Sequence, residues 1–185
     1  MKKILVSFSL IFTLSAFLFS NQCTAQVMSN DDLKTLMTAE WQRAKAYTQE
    51  YLNTMPADKY SFKAVDSLRS FAQQMLHLAS ANVFLMAQAT GQPPASWASF
   101  GLEKRASAQS RDSVQYFVNA SYDYASNAVA KSDPSKWKDE VTLFGFKTTK
   151  FALMLKTFEH QTHHRGQTTI YIRELNIIPP QEKLF

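Results

Sequence analysis

The sequence predicts an all-α protein, a four-helix bundle with long crossover connections, and three observations carry that prediction. Apolar residues recur at three- and four-residue spacing over long stretches. Glycine and proline number only 4 and 6 in 185 residues, whereas sandwiches, barrels and dinucleotide-binding units need many tight turns. Those few breakers stand at the joints between the periodic stretches, where a bundle puts its connections. With 45% hydrophobic and 13% aromatic residues in 21.1 kDa, the chain can build one well-packed core and not two. A charged fraction of 19% beside so little Gly and Pro excludes disordered and collagen-like classes.

Residues 1–25 read as a secretory signal: Lys2 and Lys3 supply the positive start, Ile4 to Phe19 the apolar run, and Cys23-Thr24-Ala25 the small-residue cleavage stretch. The mature bundle then spans 26–185 and the protein is exported, periplasmic or extracellular. A membrane anchor needs about 20 continuous apolar residues, and Ser20-Asn21-Gln22 cut the run short. Lipid attachment at Cys23 ranks below soluble export, because Gln22 is a poor residue before a lipoprotein cysteine. The one cysteine can form no internal disulfide. Without Lys2 and Lys3 the remaining 18 basic and 15 acidic residues leave a charge of +3. They are dispersed, with no Lys/Arg run interleaved with aromatics, so no nucleic-acid partner is expected.

The first helix opens at Ser29, with Asp32 completing a capping box, and presents Leu33, Leu36, Met37, Trp41, Ala44, Tyr47 and Tyr51 on one face until about Asn53. Pro56 to Phe62 reads as a loop. A second helix is expected from about Val65 to Thr90, buried through Leu68, Ala72, Met75, Leu76, Ala79, Val83 and Met86, and stopped by Gly91-Gln92-Pro93-Pro94. The third, about Leu102 to Lys131, has the weakest pattern: Val114, Phe117, Val118, Tyr122 and Ala125 hold one face. After Pro134, Trp137 to Phe146 suits a loop or a short extended pair, read here as a long crossover packed by aromatics. The fourth helix runs from about Thr148 to Asn176, before Pro179-Pro180.

Three of the four histidines fall in Glu159-His160-Gln161-Thr162-His163-His164-Arg165-Gly166-Gln167. Residues four apart on a helix lie about 5–6 Å apart on one face, so His160 and His164 can turn two imidazoles toward one cation. His163 is also within reach of His160, and spacing alone leaves that pairing open. His160, His164, Gln167 and Tyr171 share one stripe at about 100° per residue, with Phe151, Leu155, Phe158 and Thr162 nearly opposite, and both stripes carry bulky residues. Periodicity therefore does not say which stripe faces the bundle axis. A third ligand must come from another helix, and His77 is the remaining histidine, on the side of the second helix shared with Gln73, Ser80 and Phe84. Three neutral imidazoles suit Zn²⁺, Ni²⁺ or Fe²⁺ and leave a position for water or substrate.

Other residues take structural readings. Arg165 is expected in an ion pair, Gly166 at a close helix approach, Met75 and Met86 in the core, and Tyr171 and Gln167 in packing or as partners that fix an imidazole tautomer. Trp97, Trp137 and the aromatic crossover are candidates for a pocket mouth. No carboxylate stands between His160 and His164 at zincin-like spacing, so no general base can be assigned.

The order of these residues resembles the C-terminal signature of the DinB-like (DinB/YfiT) superfamily. Met55-Pro56-Ala57-Asp58-Lys59-Tyr60-Ser61-Phe62-Lys63 and Arg69 to Ala79, which holds His77, are similar to that family's entry to its second helix and its first metal histidine. The resemblance covers nearly the whole mature chain. It implies a four-helix bundle with a divalent metal ion, commonly zinc or nickel, on three histidines that correspond to His77, His160 and His164, with His163 spare. Some members of that superfamily transfer low-molecular-weight thiols and others are isomerases or hydrolases. Export departs from the cytoplasmic thiol transferases. The resulting expectation is a metalloenzyme, a hydrolase or thiol transferase acting on a small-molecule substrate, as a monomer or homodimer; the alternative is a non-catalytic bundle that binds metal or ligand.

Overall fold

Ser29 opens the first helix, α1 (Asn30–Thr54), through the expected capping box: its side chain accepts from the backbone N–H of Asp32 while the Asp32 carboxylate bonds back to Ser29. This computed structural model describes residues 28–184, so the signal peptide expected over 1–25, and Cys23 within it, lie outside the described residues. The other helices are α2 (Phe71–Thr90), α3 (Arg111–Lys131) and α4 (Lys150–Glu174). The protein is an all-α bundle, with one short antiparallel hairpin, β1 (Glu140–Leu143) and β2 (Phe146–Thr149), between α3 and α4.

Side-chain pairs give the helix directions. Gln42 meets Ser126, Lys45 meets Asp123 and Gln49 meets Asn119, so α1 and α3 are antiparallel. Tyr171 bonds to Arg69 and His164 to Gln74, which makes α2 and α4 antiparallel too. Trp41 against Phe158 and Tyr51 against Thr169 run α1 parallel to α4. Helices α2 and α3, consecutive in sequence and adjacent in space, are therefore parallel, and residues 91–110 must travel the length of the bundle. That stretch is the long crossover of the fold and contains two short 3₁₀ turns, Leu102–Lys104 and Ala106–Ala108; Trp137 to Phe146, the segment read as the crossover, instead lies in the short connection between antiparallel α3 and α4 and leads into the hairpin.

Two helix starts differ from expectation for one reason. The second helix begins at Phe71 rather than Val65, because Ser70 caps it and Gln73 closes the capping box; Val65 and Leu68 lie before it, exposed. The third begins at Arg111 rather than Leu102, capped by Ser110. Both caps satisfy backbone donors that apolar spacing does not register. Leu36, expected on the buried face of α1, is exposed, while Thr48 and Leu52 are buried.

The core gathers Trp41, Leu52, Phe71, Met75, Leu76, Met86, Tyr122, Met154 and Ile172, all with essentially no exposed surface. The hairpin turn Phe144-Gly145 has φ of 51° and 83°, positive at both positions as a type I′ connection requires. Asn or Gly normally fills the first position; a phenylalanine there carries backbone strain of about 1 kcal/mol.

Candidate metal centre

α2 and α4 bring three imidazoles together. His77 lies in the second turn of α2, and His160 and His164 stand one turn apart on the side of α4 that faces it. One donor nitrogen from each of the three lies within 4.8 Å of the others. Ring centroids are 5.5 Å apart for His77 and His160, 4.6 Å for His77 and His164, and 4.3 Å for His160 and His164. The stripe of His160, His164 and Tyr171 thus turns inward, which periodicity left open. His163 is exposed, its Nε2 3.0 Å from the Gln167 amide, and it is not in the group.

The ring edges are fixed by neighbours. His164 Nδ1 is 2.7 Å from the Gln74 side-chain amide, which also bonds to Gln167. On the other side, His164 Nε2 is 3.1 Å from His160 Nε2. Turning the two amides over lets Gln74 accept from His164 Nδ1–H and frees Nε2, since the O and N ends of an amide are interchangeable in shape. His77 Nδ1 faces Glu103 Oε1 at 3.8 Å, within ion-pair range, which leaves Nε2 for a ligand. His160 Nδ1 is buried without a hydrogen-bond partner.

All three rings are held neutral. Burial pushes His160 down to about 4 and His164 down to about 3, and the neighbouring imidazoles and Arg69 add to both shifts. Burial lowers His77 as well, helped by Arg69 and opposed by Glu103. A metal ligand must be deprotonated; His160 and His164 meet that condition well below neutral pH, and the shift of His77 runs in the same direction.

The donor set fits a divalent metal ion on these observations. Two neutral imidazoles whose Nε2 atoms face each other at 3.1 Å can place one proton between them, whereas a cation shared by the rings satisfies every lone pair. Oxygen-loving ions such as Ca²⁺ find no carboxylate among the three residues; imidazole nitrogens favour transition-metal ions.

Beside the group opens a cavity of about 380 Å³ with mostly apolar walls. His77, His160 and Glu103 form its polar end, and Phe84, Phe100 and Phe144 are among its apolar side chains. Glu103 is the residue that sequence reasoning missed, since it sits in a 3₁₀ turn of the crossover and no local spacing ties it to His77. The aromatics expected at the pocket mouth are partly others. Trp97 packs on Phe117 and buried Trp137 stacks on Phe151, away from the cavity, while Phe144 of the hairpin does reach it.

Two further expectations are corrected. Among the described residues Arg165 forms no ion pair; it is 6% exposed and held by Gln161 at 3.0 Å and by the face of Tyr47 at 4.5 Å. Gly166 is exposed and a Cβ there would meet nothing within 4 Å, so no helix approaches it. Met75 and Met86 are fully buried, as expected. Tyr171 donates to the Arg69 carbonyl and is packed rather than bonded to an imidazole, whereas Gln167 bonds to Gln74, which holds His164.

An antiparallel and parallel set of four long helices around a three-histidine cluster defines the class: a helical bundle with a candidate metal site in its core. The match to the DinB family over residues 28–182 establishes that the chain belongs to that family. Its fold is similar to the crystal structure of a DinB-like protein from Bacillus cereus ATCC 10987, with a TM-score of 0.68, 16% identity, and coverage of 80% of this chain and 95% of that one. It is also similar to a DinB-like protein, YjoA, from Bacillus subtilis, at TM-score 0.57 and 16% identity, covering 81% and 96% of the two chains. The uncharacterized protein YrdA of Bacillus subtilis strain 168 is 30% identical over 69 residues, 35% of this chain and 41% of YrdA's own length. Among the described residues no helix is long and apolar enough to cross a membrane.

Proposed function

We propose that this DinB-family protein is an exported metalloenzyme in which His77, His160 and His164 hold one divalent ion, zinc or nickel, at the polar end of an apolar cavity. The observation that carries the reading is the convergence of three neutral imidazoles from two helices, with donor nitrogens within 4.8 Å of one another. A divalent ion on three imidazoles supplies Lewis acidity at the position left open, lowering the pKa of a water or a substrate thiol or hydroxyl toward neutrality.

The chain's own residues do the remaining work. Glu103 stands 3.8 Å from His77 Nδ1, where its negative charge favours the tautomer with the proton on Nδ1, so that Nε2 stays available. Gln74 and Gln167 do the same for His164. The apolar walls exclude water from the substrate. Glu103 also faces the cavity, where its carboxylate is the group to receive the proton that the nucleophile gives up. The reaction class is hydrolysis or transfer of a small thiol to an electrophile.

Protein secreted by its host and purified without a histidine tag should contain about one equivalent of transition metal at neutral pH, where the ligands are deprotonated, and its intact mass should correspond to a chain beginning at Gln26. Metal below about 0.1 equivalent rejects the reading, and full metal content in His160→Ala rejects the ligand assignment. A panel of thiol-plus-electrophile and ester substrates, assayed with and without chelator, separates the enzyme from a binder: bound metal without chelator-sensitive turnover makes the protein a non-catalytic metal-binding bundle.

A further inference from the structure

Three phenylalanines from three different elements meet at the cavity beside the histidines. Phe84 comes from α2, Phe100 from the crossover and Phe144 from the tip of the hairpin. Phe84 and Phe100 have ring centroids 4.7 Å apart, and Phe84 and Phe144 6.0 Å. Two of these rings are in a costly place: Phe100 is 77% exposed and Phe144 70% exposed, although a soluble surface ordinarily keeps large clustered apolar groups covered. Phe144 is also the residue with φ of 51° at the turn position that Asn or Gly fills without strain. Neither its exposure nor its backbone helps the fold. Both are explained if the ring is needed where the turn puts it, over the cavity.

We infer that Phe84, Phe100 and Phe144 form an aromatic clamp that holds a neutral apolar group of the substrate, aromatic or branched, with its reacting end directed at His77 and His160. The cavity volume of about 380 Å³ falls at the small end of ligand sites, which suits one ring with a short side arm. Ala81, Leu85 and Ala98 continue the apolar wall behind the clamp, and no Lys or Arg is among the lining residues. An anionic tail would therefore find no partner there. The direction of the reacting end rests on the proposed metal function; the clamp itself does not.

The test uses 4-fluorobenzyl alcohol as probe, titrated into the full-length mature protein and followed by ¹⁹F NMR, both as purified with its metal and after chelation. Millimolar binding is expected in both forms, because the recognition is apolar. Phe100→Ala and Phe144→Asn should each weaken it at least threefold, and Phe144→Tyr should retain it. Phe144→Asn should at the same time raise Tm by about 2–4 °C, since relief of turn strain stabilises the hairpin. A gain in stability joined to a loss of binding is a result that a purely structural Phe144 cannot give. Unchanged probe affinity in Phe100→Ala and Phe144→Asn overturns the clamp, as does failure of the unaltered protein to bind the probe. Concentration-dependent dimerisation that both substitutions abolish, without probe binding, would also overturn it by assigning the rings to a second copy of the chain. Probe binding that survives chelation in a protein lacking metal-dependent turnover would leave the clamp standing and reject only the catalytic reading.

Discussion

Protonating His160 or His164 puts a cation into a region that burial has already made hostile to charge, beside two further imidazoles and Arg69. In the unfolded chain the same rings titrate near 6.5; in the fold they titrate at about 4 and about 3. Between those values the unfolded state binds more protons than the native state, so stability rises with pH across the window. Metal-free protein should therefore keep full stability above about pH 6.5 and lose it progressively as pH falls toward 4. Tm measured from pH 7.5 to 4 checks this, and a His160→Gln, His164→Gln double variant should show a flatter profile over the same range. Glu103 makes a separate prediction. Its carboxylate lies 3.8 Å from His77 Nδ1, and removal of a carboxylate that orients a metal-binding histidine typically lowers affinity about 10–100-fold. Glu103→Gln should weaken zinc binding by that factor in a chelator competition while leaving far-UV circular dichroism unchanged. Unaltered zinc affinity would detach Glu103 from the site. The pairing of His160 with His164 was legible in the sequence because spacing by four is a property of one helix, whereas His77 joined them only through the resemblance in residue order. Glu103 was not, because its partner lies on another element.

At the scale of elements, the caps decide where helices begin. Ser70 is buried and closes a reciprocal pair of bonds with Gln73 at the start of α2, about two turns before His77. Ser70→Ala leaves the Gln73 backbone N–H without its partner and should cost about 1 kcal/mol, seen as a fall in Tm of about 2–4 °C. A smaller change than the equivalent Ser110→Ala at α3 would show that the Ser70 box is not what holds this end. Helices α1 and α4 matched the periodic reading to within a residue or two at their ends, because Ser29 and Thr149 coincide with the onset of the apolar pattern. For α2 and α3 the pattern began early, in Val65, Leu68 and Leu102, which fill connecting turns instead. Apolar spacing reports what a segment wants to bury and is silent on whether its backbone donors are satisfied. The hairpin, Glu140–Leu143 with Phe146–Thr149, stands where the sequence reads as a long crossover, since four-residue strands are too short for alternation to identify.

At the scale of the whole molecule, a buried polar chain ties three helices together. Thr48 of α1 lies 2.7 Å from Tyr122 of α3, Tyr122 donates to Gln161 of α4 at 2.7 Å, and Arg165 donates to the same Gln161 oxygen. Burial pushes the Tyr122 hydroxyl up to about 12, so it stays protonated as a donor at physiological pH. Tyr122→Phe removes the link while keeping the ring against Trp41. The expected loss is about 1–2 kcal/mol, the cost of under-satisfied buried groups, read as a lower urea midpoint with an unchanged m-value. Such a chain explains how Arg165 can be buried without an acid: its charge is spread over Gln161 and the Tyr47 ring. None of this was visible along the chain, where Arg165 simply follows a histidine. By itself the sequence determined the helical class, the four long segments, the family and the one-turn spacing of His160 and His164, because each depends on local periodicity or on residue order. Only the tertiary structure decided which face of α4 turns inward, that Glu103 stands beside His77, and that Phe84, Phe100 and Phe144 meet over a cavity. Those relations join residues tens of positions apart on different elements, and pairings of that kind are set by how whole helices and their connections pack, which no window of sequence contains.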